Sequence, residues 1–200
     1  DENIKTLCKA DELSQPFSLR VPGSHNVSNA LAAIGAGLLS SISLEHIRDG
    51  LSRFTGTDRR FQYKGTVGGV AIVDDYAHHP NEIKAAISSI RDIYPGRKIL
   101  GIFQPHLFTR TRDFADDFAA ALSNLDALIM LPVYPAREEP IEGVNSEMIL
   151  DKVTIADKAL VSKEALMDAI SARDIDVLVT FGAGDIDRFV KQIEKYIESV

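Results

Sequence analysis

The sequence holds a single cysteine, Cys8, among 200 residues. One thiol builds neither a disulfide framework nor a cysteine-based zinc site, and it fits the reducing cytosol, where disulfides are rare. Long apolar runs are missing too: none approaches the ~20 residues that cross a bilayer. The acidic opening DENIKTLCKADE also lacks the charge pattern of a signal peptide. A cytoplasmic protein without membrane contact is expected. Basic residues are in deficit, with 22 Lys and Arg against 29 Asp and Glu and a net charge of −7. Nucleic-acid modules carry a clustered basic face, so no nucleic-acid partner is expected and any anionic ligand must be met by local cations. What remains is ordinary for a globular chain, 45% apolar and 26% charged, enough for one core or one and a half.

From residue 60 onward, short β-rich runs alternate with amphipathic stretches. FQYKGTV, VAIVDDY, KILGIFQ, DALIMLPVY, ALVS and DVLVTF read as strands. Pro80 to Ile93 places Ile83, Ala86, Ile87 and Ile90 on one helical face, and residues 109–125 do the same with Phe114, Phe118, Leu122 and Leu125. Further helices are expected over 146–153, over 163–173 with Ser162 as N-cap, and over 185–200. Strands separated by such helices need crossover connections. The fold class is therefore α/β, with a mostly parallel, Rossmann-like sheet covered by helices on both faces. Residues 1–55 differ: one β-like piece, FSLRVPG, precedes two helical pieces, a short strand-plus-helices part of a second domain too small to close its own core. The stretch TGTD, 55–58, is the candidate hinge.

In open α/β sheets ligands gather beyond the carboxyl ends of the strands, and three of those ends concentrate ionisable groups. After the second strand come Asp74, Asp75, Tyr76, His78 and His79; after the third, QPHLFTRTR with His106, Arg110 and Arg112; after the last, GAGD with Gly182 and Gly184. Each has a plain alternative. Asp75 could simply cap the helix after Pro80, and the two histidines could be solvated. No third ligand follows them at helical spacing, so no metal site is expected. Arg110 and Arg112 near a helix start oppose the macrodipole, which suggests an anionic partner. GAGD lacks the third glycine of the dinucleotide fingerprint and reads as a tight strand-to-helix turn that lets a ligand approach backbone amides. Upstream, Asn26 and Asn29 are neighbours on one helical face. Carboxamides can read the N6 and N7 edge of adenine, although Asn26 would also serve as an N-cap. In DRRF, 58–61, an arginine fork could hold a phosphate.

VPGSHNVSNALAA, GTDRRFQYKG, VDDYAHHPNEI, FQPHLFTRTRDF and FGAGDI, in this order, resemble the Mur ligase family of bacterial cell-wall synthesis. The resemblance runs from about Phe17 to the C-terminus. DDYAHHP points to the muramate branch, and QPHLFTRTR to the ligases that accept L-alanine over those that recycle a whole peptide. The resemblance implies an ATP-dependent amide ligase that joins L-alanine to the carboxylate of UDP-N-acetylmuramate through an acyl phosphate. It also implies a division into residues 1–56, the end of a central ATPase domain, and residues 57–200, a C-terminal Rossmann-like domain. Carried over residue by residue, Asn26 and Asn29 would contact adenine, Arg60 a nucleotide phosphate and Asp75 the ribose. Tyr76, His78, His106 and Arg110, with Gly182 and Gly184, would surround the amino-acid end of the product. ATP and Mg2+ are the implied cofactors, yet the sequence holds no GxxxxGK[ST] loop for the ATP phosphates. The chain alone is therefore expected to be inactive and to depend on N-terminal and central domains in cis. Two other readings stay open: a peptide-recycling ligase of the same family, and a non-catalytic α/β nucleotide-binding module.

Overall fold

The computed structural model of the chain describes residues 15–199; Cys8 and the acidic opening segment lie outside them. The chain divides into two compact units, Asp1–Thr57 and Asp58–Val200.

In the first unit, α1 (Ser24–Leu39) follows Gly23, whose φ of 96° is open to glycine at low cost. Helix α2 (Leu44–Arg53) is capped by Ser43, which accepts from His46 N, and it carries Glu45 in its first turn and Arg53 in its last, both matched to the helix dipole. Leu38, Leu44 and Ile47 are buried together, with Phe17, Ile34 and Leu51 against them. FSLRVPG was expected to be β-like, but its backbone forms no strand. A strand exists only through a ladder partner, and none of the described residues pairs with it.

The second unit runs β1 (Gln62–Val67), β2 (Val70–Asp75), α3 (Pro80–Ile93), β3 (Ile99–Phe103), α4 (Phe108–Asp113), α5 (Ala115–Leu122), β4 (Ala127–Met130), α6 (Glu147–Leu150), β5 (Asp157–Leu160), α7 (Leu166–Ser171), β6 (Val177–Phe181) and α8 (Asp187–Ser199). The six strands lie in the order β1-β2-β6-β3-β4-β5. All pairings are parallel except β1 with β2, joined at Gly68 and Gly69, whose φ values of 56° and 85° suit a two-residue hairpin. Side chains alternate strictly between two cores. Ala71, Val73, Ile99, Phe103, Leu128, Met130, Val177, Val179 and Phe181 face one side, with α3, α5 and α6 residues. Ile72, Leu100, Ile102, Ala127, Ile129 and Leu178 face the other, with α7 and α8 residues. Strands covered on both faces read as continuous apolar runs, which is why β2, β3, β4 and β6 stand out in the sequence.

Several boundaries differ from expectation for identifiable reasons. The helix expected over 109–125 is two helices that meet at Phe114 (φ −120°, ψ 20°), whose ring packs edge-on against His79. Strand β4 stops before Pro132, which has no N–H for the ladder. Ser162 does not cap a helix at 163, because Lys163 lies in a turn and bonds to Asp185; α7 starts at Leu166. Likewise α8 starts at Asp187, since Asp185 belongs to the preceding turn.

Candidate functional site

Because β2, β6 and β3 are adjacent and parallel, their C-terminal ends coincide: Asp75 pairs with Phe181, and Phe181 with Phe103. Segments starting at residues 76, 182 and 104 therefore leave the sheet side by side. This brings Asp75, Tyr76, His78, His106, Arg110, Gly182 and Gly184 to one edge of the second unit.

The rings at that edge form a continuous row. Tyr76 meets His78 at 5.1 Å between centroids, His78 meets His106 at 6.3 Å, and His106 stacks on Tyr134 at 5.7 Å. Local hydrogen bonds separate the two adjacent histidines chemically. His78 Nδ1 lies 2.9 Å from Tyr76 O; a carbonyl only accepts, so Nδ1 carries a proton, and Nε2 accepts only when it carries none. His79 Nδ1 accepts from Asn81 N at 3.4 Å, the N-cap bond of α3. Glu82 completes that capping box, accepting from His79 N at 3.2 Å and from His78 N at 3.0 Å. Capping of α3 thus falls to His79, not to Asp75. Burial pushes the Glu82 carboxyl up, but the His78 and His79 amides, the His78 ring and Arg60 outweigh it, and the net direction is down.

At this edge unfilled hydrogen-bonding capacity is found on His106, Arg110 and Arg59, whose buried Nε has no hydrogen-bond partner but faces the Asp74 carboxylate at 3.6 Å. His106 Nδ1 and Arg110 Nη1 are both buried without a hydrogen-bond partner. Burial pushes the His106 imidazole below its ordinary range, and the Arg110 and His78 charges push it the same way. A neutral imidazole beside an under-coordinated guanidinium is suited to a small carboxylate. Arg112, by contrast, pairs with Asp113 at 2.8 Å and is half-exposed.

The arginines of DRRF take unlike roles. Arg59 is inward, with only 21% of its side chain exposed; it donates to Gly182 O at 2.7 Å and faces Asp74 at 3.6 Å and Asp187 at 3.7 Å. Asp74 also accepts from Thr180 Oγ1 at 2.6 Å, so Asp74 and Arg59 lock the sheet to α8. Arg60 is outward, 54% exposed, over the Tyr76 ring at 5.4 Å and 3.7 Å from Glu82. Asp75 is buried and accepts from Ala77 N at 2.8 Å and Phe61 N at 3.0 Å. Burial raises its carboxyl despite those two bonds, and one further lone pair on each oxygen remains for a ligand hydroxyl.

The GAGD turn is filled by the chain itself. A Cβ at Gly182, where φ is 145°, would stand 2.8 Å from Gln104 O, and one at Gly184 would collide with Gln104 Oε1 and stand 2.8 Å from the Tyr134 ring. These two glycines are accounted for by internal packing. Gln104 is buried between Asp185, to which it donates at 2.9 Å, and Ile186 N, from which it accepts at 3.1 Å. Lys163 closes the cluster on both Asp185 oxygens, at 2.6 and 2.7 Å.

Asn26 and Asn29 lie in the first unit, inside α1 and not at its cap. Asn26 Nδ2 donates to Pro22 O at 2.6 Å, and Asn29 Nδ2 donates to Asn26 Oδ1 at 3.2 Å. The pair is preorganised, with the exposed Asn29 amide oxygen left to accept. Among the described residues no group of three His, Cys, Asp or Glu side chains could hold a metal, so the Mg2+ expected beside ATP finds no site built from them.

Sequence reading passed over Glu82, Tyr134, Glu138 and Lys163. Glu82 was recoverable, three positions after the cap His79. The others act across 22 to 29 positions of sequence, where no local pattern signals the contact.

Residues 59–184 match the Mur ligase, glutamate ligase domain family. UDP-N-acetylmuramate–L-alanine ligase of Parabacteroides distasonis is 49% identical over 198 residues, 98% of this chain and 43% of that protein. The protein of that name from Porphyromonas gingivalis is 47% identical over 91% of this chain and 40% of its own length. Among solved structures, the UDP-N-acetylmuramate-alanine ligase of Thermotoga maritima superposes with a TM-score of 0.76 at 30% identity, over 92% of this chain and 40% of that one. A murein peptide ligase from Psychrobacter arcticus, at 22% identity, TM-score 0.67 and coverage of 92% and 39%, shares the fold. The chain spans about two-fifths of the length of these relatives.

Proposed function

The chain belongs to the Mur ligase family, and from that premise we propose that it forms part of an ATP-dependent ligase joining L-alanine to the muramoyl carboxylate of UDP-N-acetylmuramate. In this reaction the muramoyl carboxylate takes the γ-phosphoryl group of ATP, giving ADP and an acyl phosphate. The amine of L-alanine then attacks the acyl carbon, phosphate leaves, the amine loses its proton, and an amide remains. The relatives named as L-alanine ligases, at 47–49% identity, favour this acceptor over a recycled peptide. A cytosolic setting suits both the nucleotide and the nucleotide-linked sugar.

The observation that carries the reading is the pair of buried atoms without partners, His106 Nδ1 and Arg110 Nη1. A free amino acid brings a carboxylate that fills both. Arg110 holds it by charge-assisted hydrogen bonds, each worth about 1.5–3 kcal/mol. His78 Nε2 accepts from the ammonium end. Arg60, exposed and weakly tied to Glu82, turns to a nucleotide phosphate; Asp75 accepts from the ribose, and Asn26 with Asn29 from and to adenine. The phosphate loop and Mg2+ ligands come from parts of the ligase whose motifs this sequence does not contain. The chain alone therefore binds ATP more weakly than about 1 mM and turns nothing over; calorimetry with ATP and Mg2+ checks this, and micromolar affinity would contradict it.

Kinetics of the full-length ligase test the acceptor site. Lysine lacks the planar fork, so Arg110→Lys raises the Michaelis constant for L-alanine about tenfold, roughly 1.4 kcal/mol, and leaves that for ATP unchanged. An unaltered alanine constant would remove Arg110 from the site.

A further inference from the structure

We propose that Glu138 is a positioning residue for the amino-acid end of this site: from the loop after β4 it fixes the start of α4 and so holds His106 and Arg110 in place. The proposal rests on the acceptor-site reading above and adds a residue outside the motifs that led to it.

Helix α4 is poorly provided for at its own N-terminus. Its N-cap is Leu107, an apolar residue with φ of 74° that offers no side-chain cap bond. A non-glycine residue with positive φ persists only where its surroundings over-determine it. Arg110 and Arg112 fall in the last turn of this six-residue helix, where they match the dipole and do not oppose it as their place in the sequence suggests; what the segment lacks is an acceptor for its first backbone amides. Glu138 supplies it. One of its carboxylate oxygens accepts from Thr109 N at 3.0 Å and the other from the Thr109 hydroxyl. These bonds, with the Phe108 amide and the Arg110 charge, hold its carboxyl below the usual range.

Glu138 can reach because its loop is pinned beside the site. Tyr134 N donates to Pro105 O at 2.8 Å, Leu107 N donates to Tyr134 O at 3.0 Å, and the Tyr134 ring stacks on His106. Glu138 N then donates to Pro135 O at 2.9 Å, turning the chain back toward α4 through Ala136, at φ 54°. The strained Leu107 is thus held on both sides, by Tyr134 at its own amide and by Glu138 two residues on, at Thr109. Both Glu138 oxygens are spent on Thr109, so Arg110 Nη1 keeps its unfilled capacity. The carboxylate orients the cation without neutralising it by direct contact.

The test is steady-state kinetics of the full-length ligase with Glu138→Ala, Glu138→Gln, Thr109→Val and, as a reference, Arg110→Lys. Glu138→Ala raises the Michaelis constant for L-alanine about fivefold, the scale of a lost helix cap, with those for ATP and UDP-N-acetylmuramate unchanged. Glu138→Gln keeps an acceptor for Thr109 N and recovers most of the loss. Thr109→Val, which keeps the amide and removes the hydroxyl, gives a smaller rise of the same kind and serves if Glu138→Ala does not fold. An unchanged alanine constant in Glu138→Ala, or an equal rise for all three substrates, overturns the proposal. If Arg110→Lys is also without effect on alanine, the acceptor-site reading itself has failed; if Arg110→Lys acts and Glu138→Ala does not, only the role of Glu138 has.

Discussion

The two edges of one sheet in the second unit are built from the same kinds of residue and end in opposite states. At the amino ends of the parallel strands charges are closed off. Asp176 bonds Arg97 at 3.0 Å and Lys98 N at 2.9 Å, Lys98 pairs with Asp174 at 2.5 Å, and Asp126 takes Arg91 at 2.9 Å and Ile99 N at 2.7 Å. At the carboxyl ends His106 and Arg110 keep buried atoms without partners, and Arg60 is held only at 3.7 Å by Glu82. Exposed pairs contribute little to stability, so the closed edge gains chiefly strand-entry geometry. An edge that leaves buried donors unfilled forgoes stability, which natural structures do where a ligand completes the set.

The largest test of this contrast is steric. Gly182, at the open edge, has φ 145° and a Cβ there would meet the Gln104 carbonyl at 2.8 Å, whereas Gly96, at the closed edge, has φ 74° and nothing within 4 Å. Gly182→Ala costs about 2–4 kcal/mol, from strain and overpacking together, and Gly96→Ala about 1 kcal/mol from strain alone. Urea unfolding of the two variants measures both. Equal losses would mean that the open edge is no more tightly framed than the closed one.

A second, smaller effect separates the edges by readout. Asp176→Asn lowers the thermal midpoint and leaves the alanine constant where it was, while Arg110→Lys, through its roughly 1.4 kcal/mol, does the reverse. If Asp176→Asn disturbed alanine binding as much as Arg110→Lys, the division between edges would collapse.

The smallest effect is a pH slope. The His106 imidazole, pushed down by burial and then by Arg110 and His78, has a folded value below its unfolded one near 6.5. Below pH ~6.5 the unfolded chain takes up a proton that the folded chain resists. The His106 contribution is therefore complete above that pH and is lost as pH falls through the folded value. His106→Asn flattens the stability profile of the chain over this window; a profile identical to wild type would show that the imidazole is not desolvated.

Much of this was legible in the sequence because period-2 and period-3.6 patterns are local. The β and α segments of the second unit, the apolar face of α3 and the crowding of ionisable residues after β2 and β3 all follow from neighbours within a few positions. Three things were not. Ser162 looks like a cap until Lys163 is drawn away by Asp185, 22 positions on. The arginines of DRRF are identical in sequence, and only the inward path of the chain gives Arg59 to Gly182 and leaves Arg60 outside. Glu138, in a loop with no periodicity, shows its use only when the turn at Ala136 returns it to Thr109.

Strand order has a consequence for synthesis. Strand β6, residues 177–181, is the last in sequence of the six strands of this sheet, yet it lies in its middle, with β2 on one side and β3 on the other. Until residue 181 has emerged from a ribosome, β1-β2 and β3-β4-β5 are separate ribbons, each presenting an unpaired edge. A premature stop before residue 177 would remove the central strand, not a peripheral one, and leave two adhesive half-sheets. The edge that carries Asp75 and the edge that leads to His106 become neighbours only when β6 lies between them, so the site cannot assemble before residues 177–181 have been made.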